Sequence, residues 1–176
     1  IDALSSATPL ALAKQGETVD IWKMVIGSHS GTIGETSVIA ILLGGAYLVI
    51  RRVIRIECPV SVIISTVVFV GAFTLIKDPD ILSLNYLAVN AMGGGLWVGA
   101  IFMASDYATT PVTKKGQIVF GICVGFMTAF FRVFGQSGEG LSFAIIICNL
   151  LTPVIEKLTY PKPFGIRKAG NAKEKT

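Results

Sequence analysis

Five apolar segments, at about residues 37–54, 59–76, 86–105, 117–134 and 141–158, restrict what this chain can fold into more than any other feature. Each is close to the roughly 20 residues that a helix needs to cross the hydrocarbon core of a bilayer. Only 15% of the residues are charged and 52% are apolar, whereas an ordinary soluble domain carries about 25% charged residues. The expected fold class is therefore all-α: a polytopic membrane protein with five transmembrane helices.

The gaps between the runs carry their own punctuation. Arg51, Arg52 and Arg55 precede Pro59; Lys77-Asp78-Pro79-Asp80 forms the second gap; Asp106 to Lys115 contains Pro111; and Gly135 to Gly140 is rich in glycine. These turn signals fix the span boundaries to within a few residues. They divide the chain into an entry segment, residues 1–36, a membrane domain, residues 37–158, and a polar tail, residues 159–176. The net charge of +4 does not read as a nucleic-acid footprint, because the basic residues gather at span ends and in the tail. If the Arg51/Arg52/Arg55 loop is cytoplasmic, so are Lys114, Lys115, Lys157 at the end of the fifth span and the tail, which gives eleven basic residues inside against four outside (Lys14, Lys23, Lys77 and Arg132). That asymmetry follows the positive-inside rule, with the residue 1–36 segment on the non-cytoplasmic side and the C-terminus in the cytoplasm.

Inside the spans, Gly95 and Gly99, and likewise Gly121 and Gly125, have the GxxxG spacing of closely packed helices. Gly93-Gly94-Gly95 is different, since three consecutive glycines weaken a helix and predict a broken span. Asn90, Thr66, Thr128, Asn149 and Thr152 are expected to return hydrogen bonds to backbone or to a neighbouring helix. Arg132, near the outer end of the fourth span, is expected to snorkel or to pair with Glu139. Cys58, Cys123 and Cys148 are far apart, with no CxxC pair, and read as small buried hydrophobes. His29, the only histidine, sits in a Ser/Gly loop without carboxylate or thiol neighbours and reads as a surface imidazole, so no metal site is expected.

Ahead of the spans lies Ile1-Asp2-Ala3-Leu4-Ser5-Ser6-Ala7-Thr8-Pro9-Leu10. The residue before a proline is pushed towards extended geometry, so Thr8 should present its hydroxyl outward. Beyond it, Glu17 or Thr18 is expected to cap a short helix through Ile21, Trp22, Met24 and Val25, either interfacial or packed on the spans. Residues 27–37, rich in glycine and hydroxyls, read as a loop. The chain has no initiator Met and opens on what reads as a mid-protein segment, so a longer polypeptide is expected.

No Ser/His/Asp set, P-loop, zinc spacing or dinucleotide fingerprint occurs, so any reaction here needs a cofactor to supply it. Asp2-Ala3-Leu4-Ser5-Ser6-Ala7-Thr8 resembles the flavin-transferase target Asp-x-x-[Ser/Thr]-Gly-Ala-Thr. It matches at Asp2, Ser5, Ala7 and Thr8 and departs at Ser6, where the motif has Gly. Further blocks are Ser5 to Leu10, Gly31 to Ser37, Phe102 to Tyr107, Thr110 to Gly116 and Glu139 to Ala144. Together they make the chain resemble the C-terminal half of the RnfD family of the Rnf complex, related to the NqrB component of the sodium-pumping NADH:quinone reductase.

That resemblance implies one five-helix half of a ten-helix, two-repeat fold in a bacterial or archaeal cytoplasmic membrane. It also implies covalent FMN as a phosphoester on Thr8, with Asp2, Ser5, Ser6 and Ala7 as the attachment motif. Electron relay between ferredoxin and NAD would be coupled to movement of Na+ or H+. The implied partners are the other membrane and peripheral subunits of the complex, a flavin transferase for maturation, and the lipid bilayer. Gly31, Gly34 and Glu35 are candidates to approach the flavin. Asp106 and Tyr107 are candidates to line a second flavin, such as riboflavin, or the ion route, with helix-end capping as the alternative. Half of a solute or ion channel without a redox cofactor, and a passive scaffold for other subunits, are the competing functions.

Overall fold

A computed structural model of the chain describes residues 8–16, 18–28, 31, 34, 36–93, 95–135, 140–159 and 161. Among these residues every regular element is a helix. Two short helices, α1 (Pro9–Lys14) and α2 (Ile21–Ile26), precede α3 (Val38–Ile50), α4 (Glu57–Lys77), α5 (Leu84–Met92), α6 (Leu96–Val98), α7 (Lys114–Phe134) and α8 (Leu141–Thr159). A π-helical turn, Gly99–Met103, continues α6.

Local chemistry starts these helices where the sequence provides an acceptor. The Ala40, Tyr86 and Gly116 amides donate to the side-chain oxygens of Ser37, Ser83 and Thr113, satisfying amides that a helix start would otherwise leave open. In α2 the Trp22 amide donates to Asp20, so the cap is Asp20 and not the expected Glu17 or Thr18. Asp20 directly precedes the first apolar residue and offers a carboxylate to the helix dipole. Helix α1 is not among the expected elements: Thr8 stands at its N-cap and Pro9 opens its first turn, the position that proline tolerates best.

Helices α4, α7 and α8 are long and apolar enough to cross a membrane, which makes the chain a polytopic membrane protein. The first expected span is corrected to 13 residues, because helix α3 stops at Ile50. At about 1.5 Å per residue it rises only about 20 Å. Arg51 ends it and Arg52 turns the chain with a φ of 56°. The third expected span is a bent pair, Leu84–Met92 and Leu96–Met103, with 51° between its arms. Full-length crossings among the described residues therefore number three, or four if the bent pair counts as one. Five is reached only if α3 also crosses.

Helices α4 and α7 form the centre of the bundle and run in the same direction. Lys114 Nζ meets Glu57 Oε1 at 3.1 Å where both begin, and Lys77 Nζ donates to the Val133 carbonyl at 2.8 Å where both end. The intervening bent pair therefore carries the chain back from one end of the bundle to the other. Gly121 and Gly125 are the reason the two helices approach so closely. A Cβ on Gly121 would lie 2.8 Å from Ser61 Cβ, and one on Gly125 would lie 2.8 Å from both Ser65 Cβ and the Thr66 backbone nitrogen. The Ser65 hydroxyl lies 3.0 Å from the Gly121 carbonyl across this seam. Around it pack Cys58, Val62, Phe120, Val124, Ala144, Ile145 and Cys148. Cys123 is half-buried beside them.

The polar residues at membrane depth mostly bond as expected. Thr66 and Thr128 donate to carbonyls one turn back, Asn90 Nδ2 donates to the Tyr86 carbonyl, and Thr152 donates to Thr109 O on the connection before α7. Helix α2 presents Trp22, 75% exposed, and Ile26 outward while burying Met24 completely. It thus combines an apolar outer face with packing on the spans, as an interfacial helix does.

Candidate functional site

The site grows from the end of the bundle where α1 docks. Thr8 is exposed, with φ −68° and ψ 151°, the extended geometry that a following proline imposes. A threonine at an N-cap ordinarily accepts a bond from the next turn. Thr8 makes no such side-chain cap bond. Its backbone carbonyl does that work instead, accepting from the Ala11 and Leu12 amides at 2.9 and 3.1 Å. The hydroxyl of this exposed residue thus stays out of the helix cap.

Two residues later the chain is anchored. Leu10 and Ala13, one turn apart, are both buried, which seats α1 against α5. A Cβ on Gly93 would lie 2.9 Å from Leu10 Cδ1 and 3.1 Å from Met24 Cε, so α1 and α2 both close over the break in the bent pair. The glycine triplet thus produces the interruption that its composition predicts. Helix α5 ends at Met92, and Gly95 adopts a φ of 64° before Leu96 restarts the helix.

Arg132 corrects one expectation. It does not snorkel: it is fully buried. From α7 it donates through Nη1 to the Asn90 carbonyl at 2.5 Å and through Nη2 to the Gly93 carbonyl at 3.0 Å. These are end carbonyls of α5, which helix geometry leaves without helical donors and at slightly negative potential. Such broken-helix carbonyls are typical cation positions in transporters. Here a tethered guanidinium fills that role. Glu139, its expected alternative partner, lies outside the described residues.

Two lysines join the same end. Lys14 Nζ donates to the Gly135 carbonyl at 3.0 Å, alongside the Lys77 bond to Val133, so both ammoniums meet the C-terminal end of α7. They line a cavity of about 290 Å³ together with Thr74, Asp78, Ile81, Tyr86 and Val133. Burial pushes the Lys14 ammonium below the usual lysine range, and the positive charges of Lys77 and Arg132 push it further down.

Asp106 and Tyr107 belong to the opposite end. Both are exposed, Tyr107 by 98%, and they line a cavity of about 380 Å³ with Arg52, Arg55, Cys58 and Gln117. Arg55 Nη1 donates to the Val112 carbonyl at 2.9 Å there, so the two basic loops lie side by side. From Gln117 to Gly135 is a rise of about 27 Å along α7. Asp106 and Tyr107 therefore stand apart from Thr8. Gly31 and Gly34 are exposed in the connection between α2 and α3, with Gly34 at a φ of 94°. Asp2, Ser5, Ser6, Ala7, His29 and Glu35 lie outside the described residues. In the sequence Lys14 and Lys77 register only as counted charges; their pairing with α7 joins residues 121 and 56 positions apart, and no local motif announces it.

Comparison with known proteins places this geometry in context. The model of the NQR2, RnfD, RnfE family matches residues 1–165. The chain is 38% identical over 173 residues to the D subunit of the Na(+)-translocating ferredoxin:NAD(+) oxidoreductase complex of Acetobacterium woodii, an alignment covering 95% of this chain and 51% of that protein. It is also 38% identical over 184 residues to the D subunit of the proton-translocating ferredoxin:NAD(+) oxidoreductase complex of Clostridium ljungdahlii, covering 96% and 53% respectively. The D subunit of the ion-translocating oxidoreductase complex of Actinobacillus succinogenes is 34% identical over 174 residues, covering 94% and 48%. The chain thus spans about half the length of these relatives.

Proposed function

The chain belongs to the NQR2, RnfD, RnfE family, and from that membership we propose that it is the flavin-bearing part of a membrane subunit in a ferredoxin:NAD oxidoreductase that moves Na+ or H+ across the cytoplasmic membrane. The flavin is FMN, held as a phosphoester on Thr8. The observation that carries this reading is the Thr8 hydroxyl: exposed, on extended backbone, and not used as a helix cap. A hydroxyl of that kind can enter the narrow cleft of a transferase, which has to supply the metal and base that an unaided threonine lacks.

The residues present suit FMN. Thr8 offers the attachment oxygen, and the buried Leu10 and Ala13 hold the attachment helix against the bundle. Lys14 and Lys77 give the neighbouring cavity a positive lining. Bound there, the flavin supplies electron transfer, which the chain's own side chains cannot perform. What the protein contributes is a fixed anchor point beside a broken span.

Arg51, Arg52, Arg55, Lys114 and Lys115 at the end away from Thr8 outnumber Lys14, Lys23, Lys77 and Arg132 at the Thr8 end, which supports an orientation with Thr8 on the non-cytoplasmic side. The two relatives at equal identity are named for different ions, so similarity does not choose between Na+ and H+. The other subunits of the complex and the maturing transferase are the partners on this reading.

Thr8→Val is the direct test. Expressed with a flavin transferase and run on a denaturing gel, wild type should fluoresce under ultraviolet light. The valine variant should accumulate to the same level and lose the band's fluorescence completely. A non-fluorescent wild-type band, or a fluorescent Thr8→Val band, contradicts the proposal. A passive scaffold would instead keep full electron transfer after this substitution.

A further inference from the structure

Resting on the reading of Thr8 as the flavin anchor, we infer that the cavity lined by Lys14 and Lys77 is the seat of the flavin ring's negative charge, and that these two ammoniums set the ring's affinity for electrons. The first argument is charge. Lys14, Lys77 and the nearby Arg132 are basic, and Asp78 is the one carboxylate among the described lining residues. A cleft with an excess of one sign concentrates ligands of the opposite sign.

The second argument is hydrogen-bonding capacity. An ammonium has three donors. The α7 carbonyls of Gly135 and Val133 each receive one, from Lys14 and Lys77 respectively. Helix-end capping therefore explains why the lysines are here without exhausting them, and their remaining donors are available to an acceptor in the cavity.

The third argument is position. Thr8 and Lys14 stand at the two ends of α1, six residues and so about 9 Å apart along its axis. A phosphoester on Thr8 keeps its own charge at the near end. The far end falls to the ring, whose charge becomes more negative on reduction. Ile81, Tyr86 and Val133 give the cavity walls that suit a ring edge better than a bare phosphate. Lys14, already crowded by Lys77 and Arg132, gains most from a negative neighbour.

The test is a redox titration of the full-length subunit, purified with its flavin attached and followed by flavin absorbance. Lys14→Gln/Lys77→Gln should lower the midpoint potential. A tenfold weaker hold on the one-electron-reduced flavin corresponds to about 59 mV. Lys14→Arg/Lys77→Arg, which keeps both charges, should stay near wild type, as should Lys23→Gln, an exposed lysine of α2. If the double glutamine variant does not accumulate, Lys14→Gln alone is titrated, with a smaller shift in the same direction expected. Attached flavin at an unchanged potential in the glutamine variants overturns the inference and leaves the Thr8 assignment standing. Wild type without Thr8-linked flavin overturns both.

Discussion

Gly125→Ala should destabilise the bundle by about 3 kcal/mol, the upper end of what overpacking a tight interface usually costs. The added methyl collides with the Ser65 hydroxyl and lies 2.8 Å from Ser65 Cβ and from the Thr66 backbone nitrogen. Two of those three atoms cannot rotate away, so α4 itself has to move. That movement pulls at the whole seam from Cys58 to Lys77, including the Ser65 contact with the Gly121 carbonyl. Thermal unfolding of the detergent-purified chain measures the loss. Gly125→Ala with Ser65→Gly should recover part of it, since the two Ser65 side-chain contacts are removed while the Thr66 contact stays. Equal stability of Gly125→Ala and wild type would mean that α4 and α7 do not meet at this glycine.

Arg132→Leu should cost about 2–6 kcal/mol, because two buried carbonyls lose their donor at about 1–3 kcal/mol each. Leucine fills much of the space and removes both donors, leaving the Asn90 and Gly93 carbonyls without Arg132. These carbonyls end a helix in surroundings where an unmet acceptor is expensive. Arg132→Lys should be intermediate, because one ammonium keeps the charge and loses the two-pronged geometry. Unfolding temperatures of the three proteins give the order, and limited proteolysis should show new cleavage near residues 93–95 in Arg132→Leu. Unaltered stability and an unaltered digest would contradict a structural role for the guanidinium at the break.

Much of this architecture is legible in the sequence, for identifiable physical reasons. The apolar runs and their charged or proline-bearing gaps locate α4, α7 and α8 closely, because hydrocarbon imposes both length and composition. Gly121 and Gly125 announce a close helix contact, and the glycine triplet announces the break. Other features are weaker locally. Helix α3 is shorter than its apolar run because Arg51 and Arg52 end it before the hydropathy falls. Helix α1 is only six residues long, too short for periodicity to register. The inward turn of Arg132 and the meeting of Lys14 with Gly135 depend on which helix ends the bundle brings together. Hydropathy gives the depth of a basic residue along its span and says nothing about the direction of its side chain.

Thr8 is legible by resemblance and by its proline neighbour; its unused hydroxyl is a matter of helix capping that only the structure reveals. The part in electron transfer proposed for the chain rests on that one oxygen. Its most direct test is the intact mass of the full-length subunit purified after expression with a flavin transferase, followed by mapping of the modified peptide. The wild-type protein should be heavier than its sequence by one FMN less one water, with the increment confined to the peptide containing Thr8 and absent from Thr8→Val. An unmodified wild-type mass, or an increment on any other residue alone, would contradict the account.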